Sequence, residues 1–200
     1  MNAPQFFAAV RTIRMHDPLA DFLGAMEDGL IEYTYLDAVK LAGHSCPTVA
    51  GAYLATLKAL EHLYPGNAPQ RGDIKVSFRD SITSGVTGVM ANIATLITGA
   101  TQDNGFKGIG GKFDRRNLLF FDAPISSEIR FERRDTGAAV NTTYHPEIAP
   151  PDSAMKELMQ MVMAGCAGAA GQKEFARLWQ ERVRRILIEL IDDPRLVVLS

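Results

Sequence analysis

Between Pro47 and Leu63 the apolar residues Val49, Tyr53, Leu57, Leu60 and Leu63 recur at intervals of three and four, the spacing that lines one face of an α-helix. Pro47 suits the first helical position, Cys46 falls at the cap, and YPGNAP ends the pattern. Upstream, HDPLADFLGAMEDG offers Asp17 as N-cap and Pro18 as first helical residue. With Leu19, Phe22, Leu23 and Met26 on one face, it predicts a short amphipathic helix closing near Gly29. EYTYLDAVKLAG turns from extended chain into one or two helical turns ending at Gly43. Downstream, DIKVSFR alternates Ile74, Val76 and Phe78 with charged or small residues, the period of a half-buried strand. GVTGVMANIATLITGAT predicts a helix of small residues with Ile93, Leu96 and Ile97, buried against a sheet or another helix.

Three further strands follow at NLLFFDA, SEIRFERRD and AAVNTTYH, separated by turn signals at 123–127 and 135–137, and a meander is their simplest topology. The chain then turns helical in AMKELMQMVMAG and, after a break of glycines and alanines, in QKEFARLWQERVRRILIELIDD. The two helices, the second carrying Arg182, Arg184 and Arg185, predict a cap, a dimer arm or both. Strands gathered mid-chain with helices at both ends predict an α+β fold. Its sheet is small and antiparallel or mixed, with helices packed on it, and alternating βαβ units are disfavoured. Residues 1–150 would form this domain, and 151–200 a helical extension on the same core or on a dimer partner.

Composition narrows the partners. Two hundred residues with 46% hydrophobic content suffice for one sizeable core, and a formal net charge of −2 offers no reason to expect nucleic acid. The N-terminal stretch lacks a secretory pattern, and no run approaches the length of a membrane span, so a cytoplasmic protein without membrane contact is expected. Cys46 and Cys166 are too few for a disulfide framework.

The chemistry concentrates at GHSC, residues 43–46, just before the predicted helix. In extended chain a two-residue spacing puts the His44 imidazole and the Cys46 thiol on one side, where they can share an ion. A sulfur at a helix N-terminus faces unsatisfied N–H groups and the positive end of the dipole, which favour thiolate, the form that binds metal or attacks carbon. Zinc accepts such a nitrogen and sulfur mixture, and so do other divalent transition metals; a four-cysteine structural site is excluded by count. Of the other histidines, His16 is the best third ligand and His145 the next. His62 sits 16 residues along the same helix, about 24 Å away at ~1.5 Å per residue. His44 and Cys46 are equally the catalytic candidates.

Between the predicted helix and strand, TQDNGFKGIGGKFDRRN reads as a loop. It fails as a nucleotide P-loop because Phe113 stands where a magnesium-binding hydroxyl is needed and a strand follows. A lid for an anionic ligand is the alternative to a plain solvated loop, with Lys107, Gly110, Gly111 and Lys112 as the binding residues, joined by Arg115 and Arg116.

The segment GHSCPTVAGAYLATLKAL resembles the FmdE family, a domain named for formylmethanofuran dehydrogenase, whose hallmark is G-H-x-C-P-G at the start of a helix. ANIATLITGATQDNGF and GGKFDRRNLLFF are similar to the helix, glycine-rich turn and strand of that family. The resemblance implies an α+β homodimer with His44 and Cys46 as a metal-binding or active-site pair. Two positions depart from the pattern: Thr48 replaces a glycine and Ala100 stands where cysteine is frequent. The C-terminal zinc ribbon of some members is replaced by helical sequence. Three functions follow as expectations: a zinc-binding protein acting on or binding a small molecule, a metal-free cysteine enzyme, or an accessory or assembly component of a metalloenzyme.

Overall fold

The computed structural model describes residues 3–200. A 3-10 turn at Gln5–Ala9 leads into strand β1, Ile13–His16; helix α1, Pro18–Phe22; and strand β2, Leu30–Tyr33. Helices α2, Tyr35–Ala42, and α3, Pro47–Leu63, precede strand β3, Ile74–Phe78, and helix α4, Thr87–Thr98. Strands β4, Leu119–Phe120, β5, Ile129–Arg133, and β6, Ala139–Tyr144, follow. Helices α5, Met155–Met163, and α6, Gly168–Arg184, and strand β7, Val197–Leu199, complete the chain. The fold is α+β, as the pattern predicts. β1 and β2 form an antiparallel ribbon, and the other strands form a five-stranded mixed sheet in the order β4-β3-β5-β6-β7.

The predicted central helix is α3, with the predicted bounds. Its burial extends beyond one face: Val49, Ala50, Gly51, Ala52, Tyr53, Leu54, Ala55, Leu57, Ala59 and Leu60 are all enclosed. The many alanines let neighbours approach from several sides, and α3 packs against α2, α4, β6 and β7. One face of the sheet meets this layer. Ile74, Val76, Phe78, Ile129, Phe131 and Val140 alternate inward and are at most 2% exposed, whereas Lys75, Arg130 and Glu132 stand on the opposite face.

The simple meander is corrected. β4 lies on the far side of β3 and runs parallel to it, with Val76 opposite Leu119, while β5 takes the other side antiparallel. The connection through α4 and the loop explains this, because a crossover of that length allows a parallel return that a tight turn cannot make. Of the three strands expected to meander only β5 and β6 are neighbours, and β7 joins the far side of β6. Two features escape the sequence pattern. β1 and β2 are four residues each and partly exposed, and β7 is three residues long and recruited by β6.

The C-terminal segment packs on the same core. Leu178, Val183, Ile186 and Leu187, the last two in a π-helical turn over Arg185–Glu189, are buried, and Leu196 and Val197 join them. The basic cluster is spent within the chain. Arg182 donates to the carbonyls of Ala149 and Pro146 at 2.6 and 3.0 Å, Arg185 to that of Pro150, and Arg184 pairs with Glu181 and Glu189. Among the described residues no helix is long and apolar enough to cross a membrane.

All five tyrosines are tied into this packing. Burial, the largest cause in each case, pushes the phenols of Tyr33 and Tyr64 up to about 12 and raises those of Tyr35, Tyr53 and Tyr144 as well. Phenols raised in the fold contribute stability that is absent at high pH for the opposite reason to a salt bridge: the unfolded chain ionises first, so the loss begins as pH climbs above the unfolded value of about 10. Ultraviolet titration should therefore show almost no tyrosinate in the native protein at about pH 10–11. Tyrosinate should appear together with loss of helical circular dichroism. Early, independent ionisation of several tyrosines in a folded protein would contradict this packing.

Candidate functional site at the start of the central helix

Two helices meet at the GHSC turn. α2 ends at Gly43, whose φ of +74° is left-handed and whose N–H bonds to the Val39 carbonyl at 2.8 Å. The chain reopens to an extended Cys46 at φ −149°, ψ 168°, and α3 begins at Pro47. The Val49 N–H reaches Cys46 Sγ at 3.4 Å, so the sulfur is the N-cap of the central helix. At 8% exposure it sits within the core margin, whereas His44 is exposed.

His44 is constrained nonetheless. Its Nδ1 lies 2.9 Å from the Ala42 carbonyl, and since a carbonyl only accepts, Nδ1 must carry the hydrogen. The neutral ring then has its lone pair on Nε2. A backbone carbonyl on one ring nitrogen is the arrangement that prepares the other for a metal.

Ser45, between the two, is held from α6. Its carbonyl accepts from Trp179 Nε1 at 2.9 Å and from Gln180 Nε2 at 3.2 Å, and its hydroxyl donates to Gln180 Oε1 at 3.0 Å. With that proton committed, the Tyr35 hydroxyl donates to Ser45 Oγ at 3.0 Å. From the sheet, Tyr144 donates to the Pro47 carbonyl at 3.0 Å in the first turn of α3. Gly51 makes room for this contact, since a Cβ there would lie 2.2 Å from Cε1 of the Tyr144 ring. Burial above all keeps Tyr35 and Tyr144 protonated, outweighing the Ser45 hydrogen bond at Tyr35 and the Arg182 guanidinium near Tyr144, which act the other way. The thiol thus has neutral phenols as neighbours.

Sequence reasoning finds His44 and Cys46 but misses Tyr35, Tyr144, Trp179 and Gln180. Only the GHSC motif marks this place, and the partners lie up to 135 residues away.

The other predicted ligands lie elsewhere. His16 ends β1, and its Nδ1 meets Gln70 Oε1 at 2.8 Å. β1 runs beside the far half of α3, where Ile13 and Arg14 share a cleft with Leu57, Leu60 and Tyr64, and Arg11 pairs with Glu61 at 3.0 Å. His16 therefore belongs to the end of α3 opposite Cys46. His145 pairs with Glu147 at 2.8 Å. Among the described residues no three His, Cys, Asp or Glu side chains converge as ligands. The donor types at His44 and Cys46 fit a divalent metal, while their number leaves its shell open within one chain.

The glycine-rich loop is anchored at the His16 end. Ile109 and Lys112 pair across Gly110 and Gly111 in a tight turn, with both glycines, Lys107 and Lys112 exposed. Further along, Arg115 turns inward to Asp17 at 2.6 Å. Asp17, with its side chain 4% exposed, also caps α1 through the N–H groups of Leu19 and Ala20 and pairs with Arg71 at 3.0 Å. Leu19, Arg71, Phe113, Arg115 and Arg134 help line a cavity of about 200 Å³ beside this cluster.

The fold and turn together define an α+β domain with a histidine and a helix-capping cysteine at the entry to its central helix. A family model described as FmdE, Molybdenum formylmethanofuran dehydrogenase operon, matches residues 41–191, and the chain belongs to the FmdE family. The match begins just before the GHSC turn and includes all of α6, so it crosses the expected boundary at residue 150. No curated protein matches the chain.

Two substitutions test this architecture. Asp17→Ala leaves Arg71 and Arg115 facing each other without their carboxylate and should cost about 3–5 kcal/mol in urea unfolding, as for other broken buried pairs. Gly51→Ala would gain about 1 kcal/mol of helix propensity on a bare helix. Here overpacking against Tyr144 should outweigh that gain and give a net loss of about 1–2 kcal/mol. A stabilised variant would show that the ring yields freely.

Proposed function

We propose that this FmdE-family protein binds a divalent transition metal, zinc by preference, through Cys46 Sγ and His44 Nε2, and that the open shell receives a small-molecule ligand. The observation that carries this reading is the hydrogen bond from His44 Nδ1 to the Ala42 carbonyl, two residues from a helix-capping sulfur. It commits the exposed nitrogen of His44 to accepting, as a metal ligand must. Cys46 supplies a soft donor in the same turn, and zinc tolerates this mixture. Two protein donors suit an exchangeable or substrate-accessible ion better than a closed structural one.

The chain's own residues would define the chemistry around the ion. The Val49 N–H holds the sulfur in place, and Tyr35 and Tyr144, neutral across the physiological range, keep its surroundings free of a competing anion. A metal bound here would supply Lewis acidity toward a carbonyl or a water molecule.

Metal analysis of protein purified without an affinity tag tests the reading. About one equivalent of metal is expected per chain, lost on Cys46→Ser and on His44→Ala while helical content is kept. Wild-type protein that contains no metal and takes up none from added zinc would overturn it.

A further inference from the structure

We infer that Trp179 and Gln180 on α6 are positioning residues for the His44 and Cys46 pair, an inference that rests on the metal-binding reading above. Ser45 is the residue between the two donors, and its three polar contacts to α6 set the course of the backbone that carries both. Its carbonyl takes two donors, the Trp179 indole at 2.9 Å and the Gln180 amide at 3.2 Å. Its hydroxyl links the Tyr35 phenol of α2 to the Gln180 carbonyl oxygen, at 3.0 Å on each side, so both ends of the Gln180 amide engage this one residue.

Packing alone does not require this. Leu178 and Val183 are buried, Arg182 fixes the helix to Pro146 and Ala149, and the Trp179 ring packs on the core through carbon atoms that a phenylalanine would keep, so the indole N–H is not needed for packing. Trp179 and Gln180 are half-buried. If their N–H groups were removed, water could satisfy Ser45 at small cost in stability, but it would not hold the turn in one place. The expected effect therefore falls on ligand geometry and not on the fold. Loss of such outer contacts commonly lowers metal affinity about 10–100-fold.

The test uses the full chain with Cys166→Ser, which removes the exposed second thiol, and compares Trp179→Phe and Gln180→Met in that background. Cobalt(II) alone is the metal probe, read by its thiolate charge-transfer absorption, and iodoacetamide labels Cys46 in the metal-free protein. Both variants should melt near the parent temperature, bind cobalt about tenfold more weakly with an altered spectrum, and label Cys46 several-fold faster. Parental cobalt affinity, spectrum and labelling rate in both variants would overturn the inference. A parent that binds no cobalt while the labelling rates still separate would overturn the metal reading and leave α6 as the element that positions the thiol.

Discussion

A helix enclosed on nearly all sides must satisfy its first N–H groups without bulk water, and α3 does so with a sulfur. Residues 49–57 are almost wholly buried, so the start of α3 cannot rely on solvent as a surface helix does. Cys46 accepts from Val49, Tyr144 donates to the first-turn carbonyl of Pro47, and Gly51 admits the tyrosine ring that makes that contact possible. The same constraint that builds the core thus holds a thiol at a defined point on its margin. His44, one residue beyond Ser45, is carried by that turn into solvent.

The two ends of α3 have opposite character. At the GHSC end the side chains bonded to residues 45–47 are neutral: two phenols, an indole and an amide. At the other end a buried carboxylate, Asp17, gathers two arginines from distant segments and draws the base of the glycine-rich loop onto α1. Paired charges of this kind make the anchoring sensitive to single substitutions. The lysines of the loop are left at its exposed tip. The features that look most chemical in the loop are therefore held at the end of the helix away from the cysteine cap.

Much of the secondary structure was legible. α3, α4, β3 and β6 lie where period and punctuation place them, because long amphipathic or alternating stretches encode local geometry strongly. β1, β2 and β7 were not legible, since three or four half-exposed residues carry little periodic signal and depend on a partner strand. The parallel return of β4 was equally hidden, as a two-residue strand takes its direction from the edge it finds. At the site, His44 and Cys46 were visible as a spaced pair of donor types next to a helix start. His16, the expected third ligand, is bonded to Gln70 beside the far half of a 17-residue helix, and histidine count says nothing about which end of that helix a strand runs beside.

Residue type and spacing within a few positions were enough to set the α+β class, the cap on the central helix and the place of His44 and Cys46 at its start. What surrounds those two residues came only with assembly of the fold. Trp179, Gln180, Tyr35 and Tyr144 converge on residues 45–47 from separate stretches of chain, and His16 is carried to the opposite end of α3. Directional hydrogen bonds between residues up to 135 positions apart require the sheet and helices to be in place first, and no local pattern records that assembly.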